Sequence, residues 1–289
     1  MTEEILNVQR EGFQGILLKA QSDSNKAMIM LGGSEGGISA AYGVAKAFAE
    51  EGVHSLAVAY WGTEQTASAL ELIPIEIIQT AIHYLKQKGY EKVGIYGVSK
   101  GAEMALTAAS LIPEIDFVIA VSPAAYVFEG IRKKAYSGNA SWTWQGKPLT
   151  YLSFDGINAN MIKNILKNKE MGFREEYIEA LEKHKSEENV IKVEQIQGPV
   201  LLLSAMRDAQ WPAEIMADMV VNRLKENNFV YPYRHETFYP ASHMLCPVRR
   251  KKSQKLIKLL YRIERKQFDA CTKSREKAFQ IALEWIRLV

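Results

Sequence analysis

Short apolar runs alternate with longer amphipathic segments along most of this chain, and this alternation limits the possible folds more than any other feature. The apolar runs are of strand length, as in residues 117–121 (FVIAV) and 200–205 (VLLLSA). Such runs are typical of strands that are buried on both faces of a parallel sheet. The segments between them carry apolar residues at helical spacing, for example in residues 75–85. We therefore predict an α/β fold with a doubly wound, mostly parallel sheet.

One segment interrupts this alternation. Residues 124–194 show no clear strand, but they contain two tryptophans, several other aromatic residues and a helical pattern over residues 158–185. An insertion between two strands of a sheet commonly covers the site at the carboxyl ends of the strands. We predict a single domain over residues 1–289, with a helical cap insertion at residues 124–194.

Composition excludes several classes of function. The chain has 289 residues, of which 47% are hydrophobic, so it can bury a large core. Its formal charge of +3 is nearly balanced and there is no basic domain, which argues against nucleic acid as a partner. No apolar run is long enough to span a membrane and the first residues do not resemble a signal peptide, so we expect a cytoplasmic protein. Cys246 and Cys271 are too few for a disulfide framework or a zinc site, and we expect no metal and no organic cofactor.

Residues 96–106 (YGVSKGAEMAL) place Gly-x-Ser-x-Gly between a strand pattern and a helical pattern. In a nucleophile elbow the serine lies on a sharp strand-to-helix turn, and its neighbours must be small because the backbone packs closely on both sides. The first N–H groups of the helix then point at a developing oxyanion. A serine at this place could instead only cap the helix. The strand and helix around the motif favour Ser99 as the nucleophile.

An acid and a histidine follow Ser99 in the chain order that this kind of serine mechanism requires. Asp208 comes directly after the apolar run at residues 200–205, where an orienting carboxylate belongs, although a turn aspartate would also fit there. His243 comes in the loop after the last predicted strand, residues 230–239. We therefore predict a triad of Ser99, Asp208 and His243. Weaker candidates, which we assign to packed or solvated positions, are Asp218, His235, His54, His83 and His184.

The glycine-rich loop at residues 32–37 (GGSEGG) follows the first buried apolar run. We predict that the N–H of Ser34, or alternatively that of Gly33, forms an oxyanion hole together with the N–H of Lys100. Glycine-rich turns also bind phosphates, but here no Gly-Lys-Ser/Thr follows and the Gly-x-Gly-x-x-Gly spacing is absent. The loop therefore favours acyl chemistry over nucleotide binding.

Two further groups are candidates for contact with a substrate. Phe128, Trp142 and Trp144 could line an acyl pocket, or they could form the core of the insertion, and the sequence favours neither reading. The basic run at residues 249–252 (RRKK) could bind the phosphates of a coenzyme A substrate. The start of a solvated helix is the favoured reading of this run, because charge runs usually face water.

Several of these blocks together resemble a known family. They are LGGSEGG, IPIE at residues 73–76, GVSKGAEMAL, VSPAAYVFEG, SWTWQGKPLTYL and RDAQWP. They look like the catalytic C-terminal domain shared by acyl-CoA thioesterases and bile acid-CoA:amino acid N-acyltransferases, from about residue 27 to beyond His243. The resemblance implies an α/β-hydrolase fold, Ser99 as acyl acceptor and Asp208 and His243 as its partners. The acyltransferase branch typically carries cysteine as the nucleophile, whereas this chain carries serine, as the hydrolytic branch does.

We therefore expect a serine hydrolase that cleaves acyl-CoA thioesters or carboxylic esters through an acyl-enzyme. Its partner would be a small acyl ester or an acyl-CoA. Two alternatives remain open from the sequence. The first is an acyl-CoA:amino acid N-acyltransferase. The second is a ligand-binding protein that keeps the hydrolase fold and the triad but does not turn over.

Overall fold

The structure is a computed structural model that describes residues 1–133, 135–157, 165–166 and 169–289. Its strands are β1 (Thr2–Leu6), β2 (Gln14–Lys19), β3 (Lys26–Leu31), β4 (His54–Ala59), β5 (Ile73–Pro74), β6 (Lys92–Val98), β7 (Phe117–Val121), β8 (Glu129–Arg132), β9 (Ala135–Ala140), β10 (Trp142–Trp144), β11 (Lys147–Pro148), β12 (Val200–Ala205) and β13 (Tyr233–Phe238). Its α-helices are α1 (Val8–Glu11), α2 (Ser39–Glu50), α3 (Glu76–Gln87), α4 (Lys100–Leu111), α5 (Arg174–His184), α6 (Ala213–Glu226), α7 (Lys251–Leu260) and α8 (Arg262–Leu288).

The central sheet has eight strands in the order β1-β2-β4-β3-β6-β7-β12-β13. The pairs β1–β2 and β2–β4 are antiparallel, and every other pair of neighbours is parallel. Every residue of β4 and of β12 is buried, as the unbroken apolar runs predicted. The predicted doubly wound, mostly parallel sheet is confirmed.

Helices cover both faces of the sheet. Leu202 and Leu203 are neighbours on β12, and their side chains point to opposite faces. Leu202 belongs to the core beneath α3, α4 and α6, together with Ile82 of α3. Leu203 belongs to the core beneath α2 and α8, together with Phe48 of α2. The two-layer burial explains why the central strands show no alternation of apolar and polar residues.

Residues 124–194 lie between β7 and β12, which are neighbours in the sheet, and we call them the insertion. The expectation that they contain no strand is wrong for their first half, which holds β8 to β11. These strands span between two and six residues, too few to display a recognisable alternation. Of the predicted helical pattern, α5 occupies the second half, and residues 158–164 and 167–168 lie outside the described part of the chain.

Parallel pairing brings the carboxyl ends of β3, β6, β12 and β13 to one edge of the sheet. The residues that follow these four ends are the glycine-rich loop, Ser99, the loop with Asp208 and the loop with His243. Ligands of open α/β sheets bind at this edge. The fold thus gathers all of the predicted catalytic residues in one region.

Candidate active site

Ser99 occupies the sharp turn between β6 and α4. Its backbone angles are φ 58° and ψ −123°, a strained conformation for a residue with a side chain. Ser99 lies at the N-cap position of α4, but its hydroxyl makes no capping hydrogen bond, so a capping role is not what this geometry shows. A Cβ atom on Gly97 would overlap the carbonyl of Gly101, which explains why small residues flank the turn. The backbone places Ser99 as a nucleophile elbow would.

Asp208 and His243 are in direct contact. His243 Nδ1 lies 2.6 Å from Asp208 Oδ2, and the two side chains are 1% and 0% exposed. The second carboxylate oxygen, Asp208 Oδ1, accepts the N–H of Gln210 at 2.9 Å. The other ring nitrogen, His243 Nε2, is buried and has no partner among the described residues. A carboxylate bound to Nδ1 fixes the ring and its tautomer, and leaves Nε2 available for a proton.

The loop that carries His243 is tied to its surroundings on both sides. The hydroxyl of Ser122, at the end of β7, donates to the carbonyl of His243 at 2.8 Å. The hydroxyl of Ser242 donates to Glu264 of α8 at 2.6 Å, and Glu264 also pairs with Arg275. These contacts hold the histidine loop against the sheet and against the long C-terminal helix.

Aromatic rings of the insertion are linked to His243 through Trp211, which lies in the loop of Asp208. Tyr177 of α5 packs edge-on against Trp211, with ring centroids 5.4 Å apart, and Trp211 packs edge-on against His243 at 5.6 Å. Phe128 packs against Tyr177 at 4.9 Å. Arg174, also on α5, donates to the carbonyl of Asp208 at 3.1 Å. The insertion therefore contacts the loop of the acid directly, and Trp211 of that loop in turn contacts His243.

The three aromatic residues predicted to contact substrate lie at different depths. Phe128 and Trp142 are fully buried, and Trp142 donates its ring N–H to Glu103 of α4 at 2.8 Å. Trp144 is partly buried at the edge of the same core. These contacts are those of packed core residues, and a role in lining an acyl pocket stays a prediction.

A buried ion pair connects the residue after the nucleophile to the insertion. Lys100 Nζ lies 2.8 Å from Glu103 Oε2 and 2.7 Å from Ser141 Oγ. Glu103 Oε1 accepts the N–H of Phe128 at 3.0 Å in addition to the ring N–H of Trp142. Burial opposes the charged forms, so it lowers the pKa of Lys100 and raises that of Glu103, while their mutual attraction offsets both shifts.

The glycine-rich loop lies against the nucleophile. A Cβ atom on Gly33 would be 3.2 Å from Ser99 Cβ. The N–H of Gly33 donates to Glu35 Oε1 at 2.9 Å. Within the described residues, the N–H groups of Ser34 and Lys100 have no protein acceptor. Of the two alternatives for the oxyanion hole, Ser34 is therefore the one whose N–H is free.

Sequence reasoning missed Glu35. The residue as a whole is exposed, but its carboxylate folds back over Gly32 and Gly33, among the packed atoms of the site. This burial raises the pKa of the Glu35 carboxyl, and the hydrogen bond from Gly33 and the proximity of His243 oppose the rise. Its place inside the GGSEGG block was the only available signal.

The basic run at residues 249–252 is engaged in local contacts. Arg249 pairs with Glu50 and lies 3.7 Å from Glu51, both at the end of α2, and Arg250 lies over the ring of Tyr42. The helix α7 begins at Lys251, in agreement with the helix-start reading. A different set of cations, Arg207, Arg262 and Lys266, lines a cavity of about 560 Å³ beside the loops of Asp208 and His243.

The weaker acid candidate, Asp218, lies away from His243. Its Oδ1 is 3.1 Å from Nδ1 of His235, whose Nε2 is 2.7 Å from the hydroxyl of Ser204. His54 is buried and its Nδ1 accepts the N–H of Ala20 at 3.1 Å. Across the described ranges, there is no cluster of three or more potential metal ligands and no helix that could cross a membrane.

The strand order, the elbow and the buried Asp–His pair together define an α/β-hydrolase fold. Solved structures agree with this assignment. A putative dienelactone hydrolase from Klebsiella pneumoniae superposes with a TM-score of 0.56 at 11% identity, covering 100% of this chain and 99% of that one. A dienelactone hydrolase from Anabaena variabilis superposes with a TM-score of 0.53 at 14% identity, covering 99% of this chain and 97% of that one.

The sequence model of the family "BAAT / Acyl-CoA thioester hydrolase C terminal" matches residues 73–253, more than half of the chain, so the chain belongs to this family. The resemblance found in the sequence is thereby confirmed. Acyl-coenzyme A thioesterase 2, mitochondrial, of Mus musculus is 23% identical over 212 residues, 70% of this chain and 43% of that protein. Acyl-coenzyme A thioesterase 1 of Homo sapiens is 24% identical over 211 residues, 70% of this chain and 47% of that protein. The chain thus spans less than half the length of these relatives.

Proposed function

We propose that this protein is a serine hydrolase that cleaves acyl-CoA thioesters or carboxylic esters through an acyl-enzyme on Ser99. The observation that carries the proposal is the buried contact of 2.6 Å between His243 and Asp208, at the same edge of the sheet as a serine held in a strained turn. Family membership supports an acyl substrate. The names of the relatives support coenzyme A as the carrier of the acyl group.

In the proposed reaction, Nε2 of His243 takes the proton from the hydroxyl of Ser99 as the serine attacks the carbonyl carbon. Asp208 keeps the imidazole in the productive tautomer and stabilises the imidazolium that forms. The histidine then gives its proton to the leaving thiolate or alkoxide. Water then attacks the acyl carbon while His243 accepts its proton, and as the bond to Ser99 Oγ breaks His243 returns that proton to the serine oxygen and the acid product leaves.

The negative charge of each tetrahedral intermediate needs donors that are already in place. The N–H groups of Ser34 and Lys100 are the proposed pair, because both lie beside Ser99 and neither is used by another described residue. Removing one such donor typically lowers the rate by about 10² to 10³. The insertion is the proposed cap over this site, since its residues contact the loop of Asp208, including Trp211, which packs against His243.

Substrate preference is tested by a hydrolysis screen of acyl-CoA chain lengths beside aryl esters of the same acids. We expect turnover of at least one acyl-CoA or aryl ester series, and its loss in Ser99→Ala. Mass spectrometry of the products in the presence of millimolar glycine covers the transferase alternative. Free acid as the main product supports the hydrolase, and acyl-glycine as the main product would contradict it.

A further inference from the structure

Two carbonyl groups of the glycine-rich loop share one donor. The hydroxyl of Tyr60, the residue after β4, lies 2.8 Å from the carbonyl oxygen of Gly32 and 2.9 Å from that of Gly33. Tyr60 is buried, and this burial raises the pKa of its hydroxyl well above the usual range, so the hydroxyl keeps its proton. The Tyr60 hydroxyl therefore remains a hydrogen-bond donor at neutral pH.

This contact fixes the direction of two N–H groups. In a trans peptide the carbonyl of one residue and the N–H of the next point in opposite directions. Because Tyr60 holds the carbonyls of Gly32 and Gly33, the N–H groups of Gly33 and Ser34 must both point away from Tyr60. Ser34 belongs to the trans peptide that follows Gly33, since the cis peptide bond found among the described residues joins Tyr239 and Pro240.

The N–H groups of Gly33 and Ser34 differ in their hydrogen bonding. The N–H of Gly33 is taken by the carboxylate of Glu35 at 2.9 Å. The N–H of Ser34 has no acceptor among the described residues, and the neighbouring Gly33 packs against Ser99. Tyr60 thus holds the loop from one side and Glu35 from the other, and one donor stays free beside the nucleophile.

We infer that Tyr60 and Glu35 are positioning residues of the oxyanion hole, which orient the N–H of Ser34 toward the reacting carbonyl oxygen. The inference rests on the proposed function. Neither side chain needs to touch the substrate, because each acts through the peptide groups on either side of Gly33. Trp142 of the insertion packs edge-on against Tyr60, with centroids 5.8 Å apart, and fixes the ring that carries the hydroxyl.

The variant Tyr60→Phe keeps the ring and removes only the hydroxyl. We expect kcat/KM to fall by about tenfold to a hundredfold, somewhat less than on outright loss of a donor. The matched control is Tyr84→Phe, which removes a hydroxyl bound to Glu4 at the far edge of the sheet. The control should stay within about twofold of wild type by the usual behaviour of surface substitutions.

Binding of a boronic acid, which forms a tetrahedral adduct on the serine, distinguishes a positioning role of Tyr60 from a general loss of stability. The affinity of Tyr60→Phe for the boronic acid should fall by the same factor as kcat/KM, because the adduct places an oxygen in the oxyanion hole. KM should change little. A lowered melting temperature with unchanged kcat/KM and unchanged boronate affinity would overturn the inference.

Glu35 supplies an internal rescue experiment. Glu35→Gln keeps a carbonyl oxygen that can accept the N–H of Gly33, whereas Glu35→Ala removes the acceptor. We expect Glu35→Gln to retain boronate affinity close to wild type and Glu35→Ala to lose it as Tyr60→Phe does. Equal losses in both variants would contradict a positioning role for Glu35.

Boronate affinity remains measurable even if the protein turns over no substrate. Failure of the proposed function can therefore be distinguished from failure of the positioning role. A wild-type protein that does not bind the boronic acid would overturn the positioning claim as well.

Discussion

At the scale of single residues, the structure separates two aspartates that follow the same strand. Asp208 is buried and contacts His243, whereas Asp218 is 70% exposed and contacts His235. Both contacts are Asp–His pairs by distance alone. They differ in burial and in the elements that carry them, because Asp208 and His243 lie on loops whereas Asp218 lies on α6 and His235 on β13.

The variant Asp208→Asn should lower kcat by about 10⁴, because an amide at this place favours the wrong tautomer of His243. The matched control, Asp218→Asn, should leave kcat unchanged and alter the free energy of unfolding by less than about 1 kcal/mol, as substitutions of exposed side chains usually do. Steady-state kinetics and urea denaturation of both variants provide the measurement. Equal losses of kcat in the two variants would show that the acid has been misassigned.

At the scale of structural elements, the buried Lys100–Glu103 pair joins α4 to the insertion. Lys100 and Glu103 are 2% and 0% exposed. Their partners in the insertion are Phe128, which precedes β8, Ser141, which precedes β10, and Trp142 of β10. A buried pair of this kind adds little stability compared with apolar packing, but loss of one partner leaves an uncompensated charge. The Lys100–Glu103 pair therefore ties the position of the insertion to the start of α4, directly after Ser99.

The variant Lys100→Met should lower the free energy of unfolding by about 3–5 kcal/mol, because it leaves the carboxylate of Glu103 buried without a counter-charge. Adding Glu103→Gln should recover part of this loss, since the amide oxygen can still accept from Phe128 and Trp142. The matched control is Lys88→Met, which removes a half-exposed partner of Glu4 and should cost less than about 1 kcal/mol. Urea denaturation that gives Lys100→Met the same small loss as Lys88→Met would contradict this role.

The elements also show which features the sequence could predict. The strands of the central sheet were predictable, because burial on both faces leaves unbroken apolar runs such as residues 200–205. The strands of the insertion were not, because β10 pairs with β5, which is distant in the chain, and β8 pairs with β9 through a register shift. Pairing of this kind leaves no local pattern in so few residues.

The same distinction applies to the candidate site. Ser99, Asp208 and His243 could be predicted because each lies in the turn or loop after a recognisable strand. Glu35 and Tyr60 could not be predicted from the sequence. Glu35 acts through a carboxylate that folds back over its own loop, and Tyr60 acts through a hydroxyl that contacts this loop from the end of β4. Distances between segments, not residue types, identify these two side chains.

At the scale of the whole molecule, the proposed mechanism makes the reaction of the acyl-enzyme with water or with an amine the step that separates hydrolysis from transfer. A serine acyl-enzyme is an oxygen ester, which water attacks readily once His243 acts as base. A cysteine acyl-enzyme is a thioester, which reacts far more readily with amines. Replacing the nucleophile alone, within an otherwise unchanged site, therefore tests how far the nucleophile determines the product.

The variant Ser99→Cys should hydrolyse acyl-CoA more slowly than wild type and form a larger proportion of acyl-glycine at millimolar glycine. Quantification of both products by mass spectrometry gives this ratio directly. The natural thiols should not interfere, because Cys246 and Cys271 are buried and burial raises their pKa values to about 12 and about 11. A ratio of amide to acid identical in wild type and variant would show that the nucleophile does not control the outcome.

The most direct test of the central claim is active-site titration of the whole chain with a serine-directed fluorophosphonate, followed by peptide mapping. We predict one label per molecule, on the peptide that contains Ser99, and no label in Ser99→Ala, whose thermal transition should stay close to that of wild type because the serine contributes little packing. Loss of the label should coincide with loss of hydrolysis. A label on another residue, or a Ser99→Ala variant that keeps more than about a hundredth of the wild-type rate, would contradict the assignment of Ser99 as the nucleophile.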